Sequence, residues 1–171
     1  MPHPTEPSAT ARLELLPLRV EHAGEMAGVL SDPALHAFIG GAPHTPEALR
    51  ARYERLVAGS PDPGVLWCNW VLRERTTGSL VGTVQATVSA GTAEVAWVVG
   101  TPWQGRGYAT EAARSLVGHM LAAFPGRTVV AHVHPAHHAS AAVAATAGLT
   151  ATGELQDGEV RWELTPHPTG N

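Results

Sequence analysis

The middle of the chain constrains the fold most strongly, because a long helical segment lies there between two short strand-like segments. Thr92–Val99 and Thr128–Val133 are rich in valine and have the length of strands. Residues 107–124 carry one apolar stripe at helical spacing, and Pro125-Gly126 follows as a stop signal. A strand, a helix and a second strand in this order predict a parallel pair joined by a right-handed crossover.

The segments before and after this unit add further strands and helices. Residues 65–74 and 79–89 precede it at hairpin distances, which predicts a three-stranded antiparallel meander ending in the first strand of the parallel pair. A first strand, three helices and a final hairpin are predicted at residues 12–18, 20–30, 45–58, 138–147 and 149–164. The fold class is therefore α/β, with a mixed sheet and helices on both faces.

The length and composition fit one globular domain. A chain of 171 residues, with 44% hydrophobic and 15% charged residues, can bury a substantial core. We expect disordered tails at residues 1–10 and 166–171, around a single domain at residues 11–165.

The charged residues and the single cysteine exclude several classes of function. All 11 basic residues are arginine, so mechanisms that need a lysine amine are excluded, such as a Schiff base or a Walker lysine. One cysteine cannot form a CxxC motif, and a net charge of −4 argues against nucleic-acid binding. No run approaches the ~20 apolar residues that span a bilayer, and the first residues resemble neither a signal nor a transit peptide. We therefore expect a cytoplasmic protein that binds neither nucleic acid nor membrane.

The turn before the long helix carries the clearest chemical signal. Gly105 and Gly107 allow a ligand to approach the backbone closely, and the helix that follows offers free N–H groups and a positive dipole end. This arrangement predicts an anion site, most naturally for phosphate. With no lysine present, backbone amides must hold the anion, helped by Arg106.

The residues of this turn resemble a known family. Gln104-Gly105-Arg106-Gly107-Tyr108-Ala109 matches the Gln/Arg-x-x-Gly-x-Gly/Ala signature of the GNAT acyltransferases, and its continuation through Thr110-Glu111-Ala112 resembles the RimJ/RimL subgroup. His134-Pro135-Ala136-His137-His138-Ala139-Ser140, followed by Gly148-Leu149, is similar to a second block of that subgroup. Together with the order of the elements, the resemblance covers roughly residues 11–165. It implies a GNAT-like fold in which the two parallel strands splay apart.

The resemblance also implies an activity and a set of cofactor contacts. Members of the family transfer an acetyl group from acetyl-CoA directly to a primary amine in a ternary complex, without a metal. By resemblance, the acceptor is a protein N-terminus or a small-molecule amine. The implied cofactor contacts are Val98, Val99, Gln104, Gly105, Arg106, Gly107, Tyr108, Ala109, Thr110, His137 and Ser140. A backbone N–H at Val98 or Val99 is implied as the donor to the oxyanion.

The sequence departs from the family pattern at two positions. His137 replaces an asparagine that usually contacts the cofactor, and Ala144 replaces the tyrosine that protonates the thiolate in many members. In the RimL-like subgroup the serine of this block has the thiolate role, which makes Ser140 the candidate acid. The alternative is that Ser140 only satisfies the backbone at a helix start.

Several residues are candidates for the general base. Glu94 is a carboxylate within an apolar strand, although it is equally consistent with an outward-facing hairpin residue. His134 or His137 is a water-linked alternative near neutral pH. His132 and His134 share a strand face, as a zinc site requires, but the family chemistry predicts no metal. Glu111 is interpreted as a helix-dipole or structural residue.

The acceptor side is encoded weakly. The resemblance places it at residues 31–44 and 156–158, where His36, Phe38 and His44 are candidate lining residues. A non-catalytic acyl-CoA-binding module with the same fold is the alternative function. The sequence leaves open whether the protein is a monomer or a homodimer.

Overall fold

A single mixed sheet of eight strands organises the computed structural model, which describes residues 5–166. The strands are β1 (Ser8–Ala9), β2 (Leu13–Pro17), β3 (Leu66–Glu74), β4 (Leu80–Val88), β5 (Thr92–Val99), β6 (Thr128–Val133), β7 (Thr150–Gln156) and β8 (Glu159–Leu164). Their order across the sheet is β1-β2-β3-β4-β5-β6-β8-β7. The helices are α1 (Ala23–Val29), α2 (Pro33–Ile39), α3 (Pro46–Ala58), α4 (Tyr108–Ala123) and α5 (His138–Thr146).

The predicted parallel pair is present, and it is short. Strands β5 and β6 are parallel, whereas the other neighbouring strands are antiparallel. Only three residue pairs join β5 to β6, ending at Glu94 opposite Val130. Beyond that pair the two strands separate, which confirms the expected splayed arrangement. None of the helices between residues 5 and 166 is long and apolar enough to cross a lipid bilayer.

Alternation along β5 divides the sheet into two differently packed faces. Ala93, Val95 and Val99 are buried against the face that carries α4, whose residues Leu116 and Met120 belong to the same core. Burial of each such large apolar side chain stabilises the fold by about 1.5–3 kcal/mol. The opposite face is covered in part by α1 and α3. The alternation therefore leaves Glu94 and Ala96 exposed on that second face.

The structure differs from the sequence prediction at two places. Residues 8–9 form an edge strand on β2 rather than part of a disordered tail, and the Trp70 indole donates to the Glu6 carbonyl at 3.0 Å. The predicted tail residues 1–4 and 167–171 lie outside the described residues. Helix α2 was not predicted, because none of its side chains is buried and it has no apolar stripe.

Candidate active site

The separated ends of β5 and β6 border a cavity of about 960 Å³. Its walls include β5 from Glu94 onward, β6 from Ala131 onward, the glycine turn, and helix α2. The catalytic candidates Glu94, His134, His137 and Ser140 all line this cavity, as does the predicted anion site with the exception of Arg106.

The glycine turn is open to a ligand at its backbone. Gly105 and Gly107 have φ of +76° and +81°, in the left-handed region that favours glycine. Gly107 is the N-cap of α4 and supplies no side-chain hydrogen bond, so the first N–H groups of that helix have no intrahelical partner. The Gln104 side chain donates from Nε2 to the Val99 carbonyl at 3.0 Å, which ties the turn to the end of β5. Gln104 thus holds the turn in place.

A buried carboxylate lies beneath this turn. Glu74 is 5% exposed and accepts hydrogen bonds from the Tyr108 hydroxyl and, at 2.7 Å, from the Thr77 hydroxyl. The Tyr108 bond and then the Thr77 bond hold the pKa of Glu74 below its usual value, and the same bond to Glu74 raises the pKa of Tyr108. The Arg106 guanidinium lies 3.9 Å from Glu74, although its side chain is 54% exposed. Sequence analysis assigned Arg106 to the phosphates; in the structure it pairs with this carboxylate.

A second carboxylate joins the N-terminal segment to the turn. Glu111 accepts from Arg12 Nε and from the Arg12 backbone N–H, both at 2.9 Å, and from the Thr10 hydroxyl. Partial burial raises the pKa of Glu111, but these hydrogen bonds outweigh it and hold the pKa below its usual value. Arg12 also donates to the Arg106 carbonyl at 2.8 Å and lies 4.5 Å from the centre of the Tyr108 ring. Glu111 is therefore structural, and Arg12, which sequence reasoning missed, supports the turn.

The Glu74 hydrogen bonds make stability dependent on pH. Because the pKa of Glu74 is lower in the folded state than in the unfolded chain, its contribution is complete above the unfolded value of ~4.3. The contribution is lost as the pH falls below that value. We expect Glu74→Gln to lower the thermal unfolding midpoint at pH 7, and the difference from the unaltered chain to shrink toward pH 3. Glu54→Gln, on the exposed face of α3, is the control and should leave the midpoint nearly unchanged at both pH values.

His137 and Ser140 meet at the start of α5. His137 is the N-cap, and its Nδ1 accepts from the Ser140 backbone N–H at 3.2 Å. Burial and then the charge of His134 lower the pKa of His137, which favours the neutral ring that this cap requires. Imidazole thus takes the capping role that asparagine commonly has. Trp97 of β5, whose type and position favoured a place in the sheet core, also reaches this site, where its Nε1 donates to the Ser140 Oγ at 3.3 Å.

Helix α2 reaches across the cavity. Phe38 places its ring centre 4.2 Å from that of His137 and 5.4 Å from that of His134. At the other end of the helix, Asp32 accepts from the Ala34 N–H at 2.9 Å and from the Thr101 hydroxyl at 2.8 Å. These two bonds hold the pKa of Asp32 below its usual value. Helix α2 therefore contacts both the turn before α4 and the segment before α5.

The acceptor side of the cavity contains the three residues named from the sequence and one that was missed. His36, Phe38 and His44 all line the cavity, as does Tyr53 of α3. The Tyr53 hydroxyl is buried without a hydrogen-bond partner among the described residues, and burial raises its pKa to about 12. Sequence analysis assigned Tyr53 no role.

Glu94 and His132 are in direct contact on the cavity wall. His132 Nδ1 lies 3.0 Å from Glu94 Oε1, and the two side chains are 13% and 53% exposed, respectively. His134 instead accepts from the Ala136 N–H at Nδ1, at 3.0 Å. Within residues 5–166, no three side chains of the types that bind metals are grouped as a metal site. The expected shared strand face is therefore not formed: His132 lies in β6, His134 lies just beyond its end, and the two have different partners.

The chain belongs to the GNAT acetyltransferase family. A family model described as an acetyltransferase (GNAT) domain matches residues 12–150. This match spans most of the chain and includes both the glycine turn and the start of α5. No curated protein matches the chain in sequence.

Solved structures with the same fold match the chain over nearly its whole length. A ribosomal-protein-S5-alanine acetyltransferase from Vibrio fischeri has a TM-score of 0.77 at 17% identity, covering 96% of this chain and 99% of that one. RimL, a ribosomal L7/L12 α-N-protein acetyltransferase in complex with coenzyme A, has a TM-score of 0.76 at 17% identity, covering 93% and 97%. A microcin C7 self-immunity acetyltransferase in complex with acetyl-CoA and AMP has a TM-score of 0.74 at 16% identity, covering 91% and 93%.

Proposed function

We propose that the protein transfers the acetyl group of acetyl-CoA directly to a primary amine, either a protein N-terminus or a small-molecule amine. The observation that supports this most is the cavity between the splayed strands, which joins the open glycine turn to a polar sheet face. A ternary complex fits such a cavity, because cofactor and acceptor can enter from different sides of the sheet.

The backbone of the turn is suited to the pyrophosphate of the cofactor. The free N–H groups of the first turn of α4 and the positive end of its dipole favour an anion there. The backbone of Gly107 is in the left-handed region, and a Cβ on this residue would lie 3.2 Å from an Arg12 nitrogen. Glycine therefore leaves the space that a phosphate oxygen would occupy. The Arg106 and Arg12 guanidinium groups also lie near the turn, although each is paired with a carboxylate, Glu74 and Glu111 respectively.

The direction of the β5 backbone favours Val99 over Val98 as the oxyanion donor. Gly100 donates its N–H to Val81 of β4 at 2.8 Å, so the N–H of the preceding residue points the other way, into the cavity. Strand β6 has already separated at this point and offers no acceptor. The Val99 N–H is thus available to the thioester oxygen, where negative charge develops in the transition state.

Ser140 is the proposed proton donor to the leaving thiolate. Its oxygen already accepts from Trp97, and its own hydroxyl hydrogen stays available for donation into the cavity. A thiolate with a conjugate acid near ~8.5 leaves readily and gains from a nearby donor. Both residues line the cavity.

A panel of primary amines, assayed by release of free thiol from acetyl-CoA, tests the proposed function. The panel contains short peptides with free N-termini, polyamines, aminoglycosides and amino acids. We expect amine-dependent thiol release with at least one class, together with acetylated product by mass spectrometry. If the protein binds acetyl-CoA but no amine in the panel causes thiol release, the result would instead support the non-catalytic module.

We expect Ser140→Ala to lower kcat by roughly 10-fold to 100-fold while KM for acetyl-CoA changes little, because a donor acts mainly in the transition state. The cap of α5 should survive, since His137 accepts from the backbone N–H of residue 140 and not from its side chain. Trp97→Phe is the matched variant: it removes only the indole donor and should lower kcat less. An unchanged kcat in Ser140→Ala would leave the serine a structural residue.

A further inference from the structure

We propose that Glu94 and His132 form a catalytic pair, in which the His132 imidazole takes the proton from the acceptor ammonium and Glu94 holds the ring in position. This proposal rests on the proposed acetyl transfer and names its general base. It replaces the sequence-based candidates Glu94, His134 and His137 in that role. His132 had been considered only as a potential metal ligand.

The strand register places the pair where the strands separate. Glu94 lies opposite Val130 in the last parallel pair of β5 and β6. His132 lies two residues farther along β6 and therefore on the same sheet face. The 3.0 Å contact between His132 Nδ1 and Glu94 Oε1 therefore lies at the end of the cavity where β5 and β6 begin to separate, and both residues line the cavity.

The contact determines which ring nitrogen carries the proton. An ionised carboxylate only accepts hydrogen bonds, so His132 Nδ1 must donate to Glu94. In the neutral ring, Nε2 then has a free lone pair. That Nε2 is buried and has no hydrogen-bond partner among residues 5–166. Buried polar atoms without a partner are rare in folded proteins, and an ammonium or water that arrives with the substrate would supply one here.

In His134 and His137, the two histidines considered as bases from the sequence, the roles of the two ring nitrogens are reversed. His134 Nδ1 accepts from the Ala136 N–H, and His137 Nδ1 accepts from the Ser140 N–H. In each neutral ring the proton is therefore on Nε2, and no free lone pair remains. Either ring would have to give up its loop hydrogen bond to act as a base. Among the three histidines, His132 alone presents an unoccupied basic nitrogen.

The chemistry of imidazole suits this proton transfer better than that of a carboxylate. A general base works best when its pKa is near the working pH, and imidazole ordinarily titrates near ~6.5 against ~4.3 for a glutamate. The imidazolium that forms would lie beside the Glu94 carboxylate. On the neighbouring strand β8, Arg161 lies opposite His132 and pairs with Glu163 and Glu154. Glu159 is a further carboxylate in the lining of the same cavity. His134 follows two residues later, just beyond the end of β6.

The proton and bond changes balance. The acceptor ammonium transfers one proton to His132 Nε2, and the neutral amine nitrogen attacks the thioester carbon. The C–N bond forms, the C–S bond breaks, and the thiolate takes the second amine proton through Ser140. The proton on His132 then leaves to solvent, so the products are the acetamide, free coenzyme A thiol and one proton.

The pH dependence of kcat in three variants tests the pair, using the amine that the panel identifies. His132→Asn keeps an N–H donor for Glu94 but removes the base. We expect kcat at pH 7 to fall by roughly 10²-fold to 10³-fold, with activity returning at alkaline pH where the amine is already neutral. Glu94→Gln should cause a smaller fall and move the rising limb of the profile to lower pH. His138→Gln, exposed and outside the cavity, is the matched control and should preserve both kcat and the profile.

Two measurements that do not depend on turnover accompany the kinetics. The side-chain ¹⁵N shifts of His132 should show a proton on Nδ1 and none on Nε2 at neutral pH, and acetyl-CoA affinity should be the same in His132→Asn as in the unaltered chain. A proton on Nε2, or a rising limb that survives in His132→Asn and disappears in Glu94→Gln, would overturn the pair. Absence of transfer by the unaltered chain would refute the proposed function instead. If His132→Asn unfolds, His132→Gln takes its place.

Discussion

Replacement of Gly107 by valine is expected to weaken acetyl-CoA binding by roughly 100-fold, which corresponds to the loss of two charge-assisted hydrogen bonds of about 1.5 kcal/mol each. A side chain at this position would crowd Arg12. At the proposed cofactor site it would also hinder the approach of the pyrophosphate to the backbone amides. Isothermal titration with acetyl-CoA measures the effect. Unchanged affinity would contradict the assignment of the turn as the cofactor site.

Gly126→Val separates crowding from backbone strain. Gly126 has φ of +88°, against +81° at Gly107, and a Cβ there would meet nothing within 4 Å. Both variants therefore carry a comparable strain of about 1–2 kcal/mol from the left-handed backbone. We expect similar losses of thermal stability in the two variants, with normal acetyl-CoA affinity in Gly126→Val.

Replacement of Gly82 by alanine is expected to disrupt the strand that carries the proposed oxyanion donor. A Cβ at Gly82 would lie 2.2 Å from the Val98 carbonyl oxygen and 3.1 Å from the Val99 Cα, so the backbone of β5 would have to move. Overpacking of this kind costs about 1–3 kcal/mol, and a displacement of ~1 Å in an active site can lower turnover by ~10²-fold. Calorimetry and kcat together measure both effects.

Gly91→Ala is the matched control for Gly82→Ala. Gly91 lies in the turn between β4 and β5, and a Cβ there would meet nothing within 4 Å. It should leave both the unfolding midpoint and kcat close to normal. Full activity in Gly82→Ala would show that the end of β5 tolerates displacement, and Val99 would lose its proposed role.

The elements that position the site were predictable from the sequence because their signals are local. The bounds of β5 and β6 agree with the prediction, since valine-rich segments between turn residues specify strands with little help from elsewhere. Helix α4 likewise follows its apolar stripe. Helix α2 was missed because it has no such stripe, although Asp32-Pro33 is a recognisable helix start.

The contacts that give the site its chemistry depend on pairing between distant segments and could not be predicted in the same way. Glu94 and His132 were each noted, but their contact depends on the register of β5 against β6, which no local pattern reveals. The Trp97–Ser140 bond depends on how far the strands separate. The position of residues 8–10 depends in part on the hydrogen bond from the Thr10 hydroxyl to Glu111, about a hundred positions away in the sequence.

Helix α2 has no buried residue, and contacts near its two ends hold it in place, at Thr101 on one side and at His134 and His137 on the other. The first contact belongs to the wall that leads to the glycine turn, and the second to the wall that leads to Ser140. A ligand that moves or immobilises helix α2 from one wall of the cavity therefore also affects the contacts that the helix makes with the other wall. Thermodynamic linkage is reciprocal, so any factor by which the cofactor changes the affinity for the amine is the factor by which the amine changes the affinity for the cofactor. Helix α2 is therefore the element through which such a coupling between the two walls would pass.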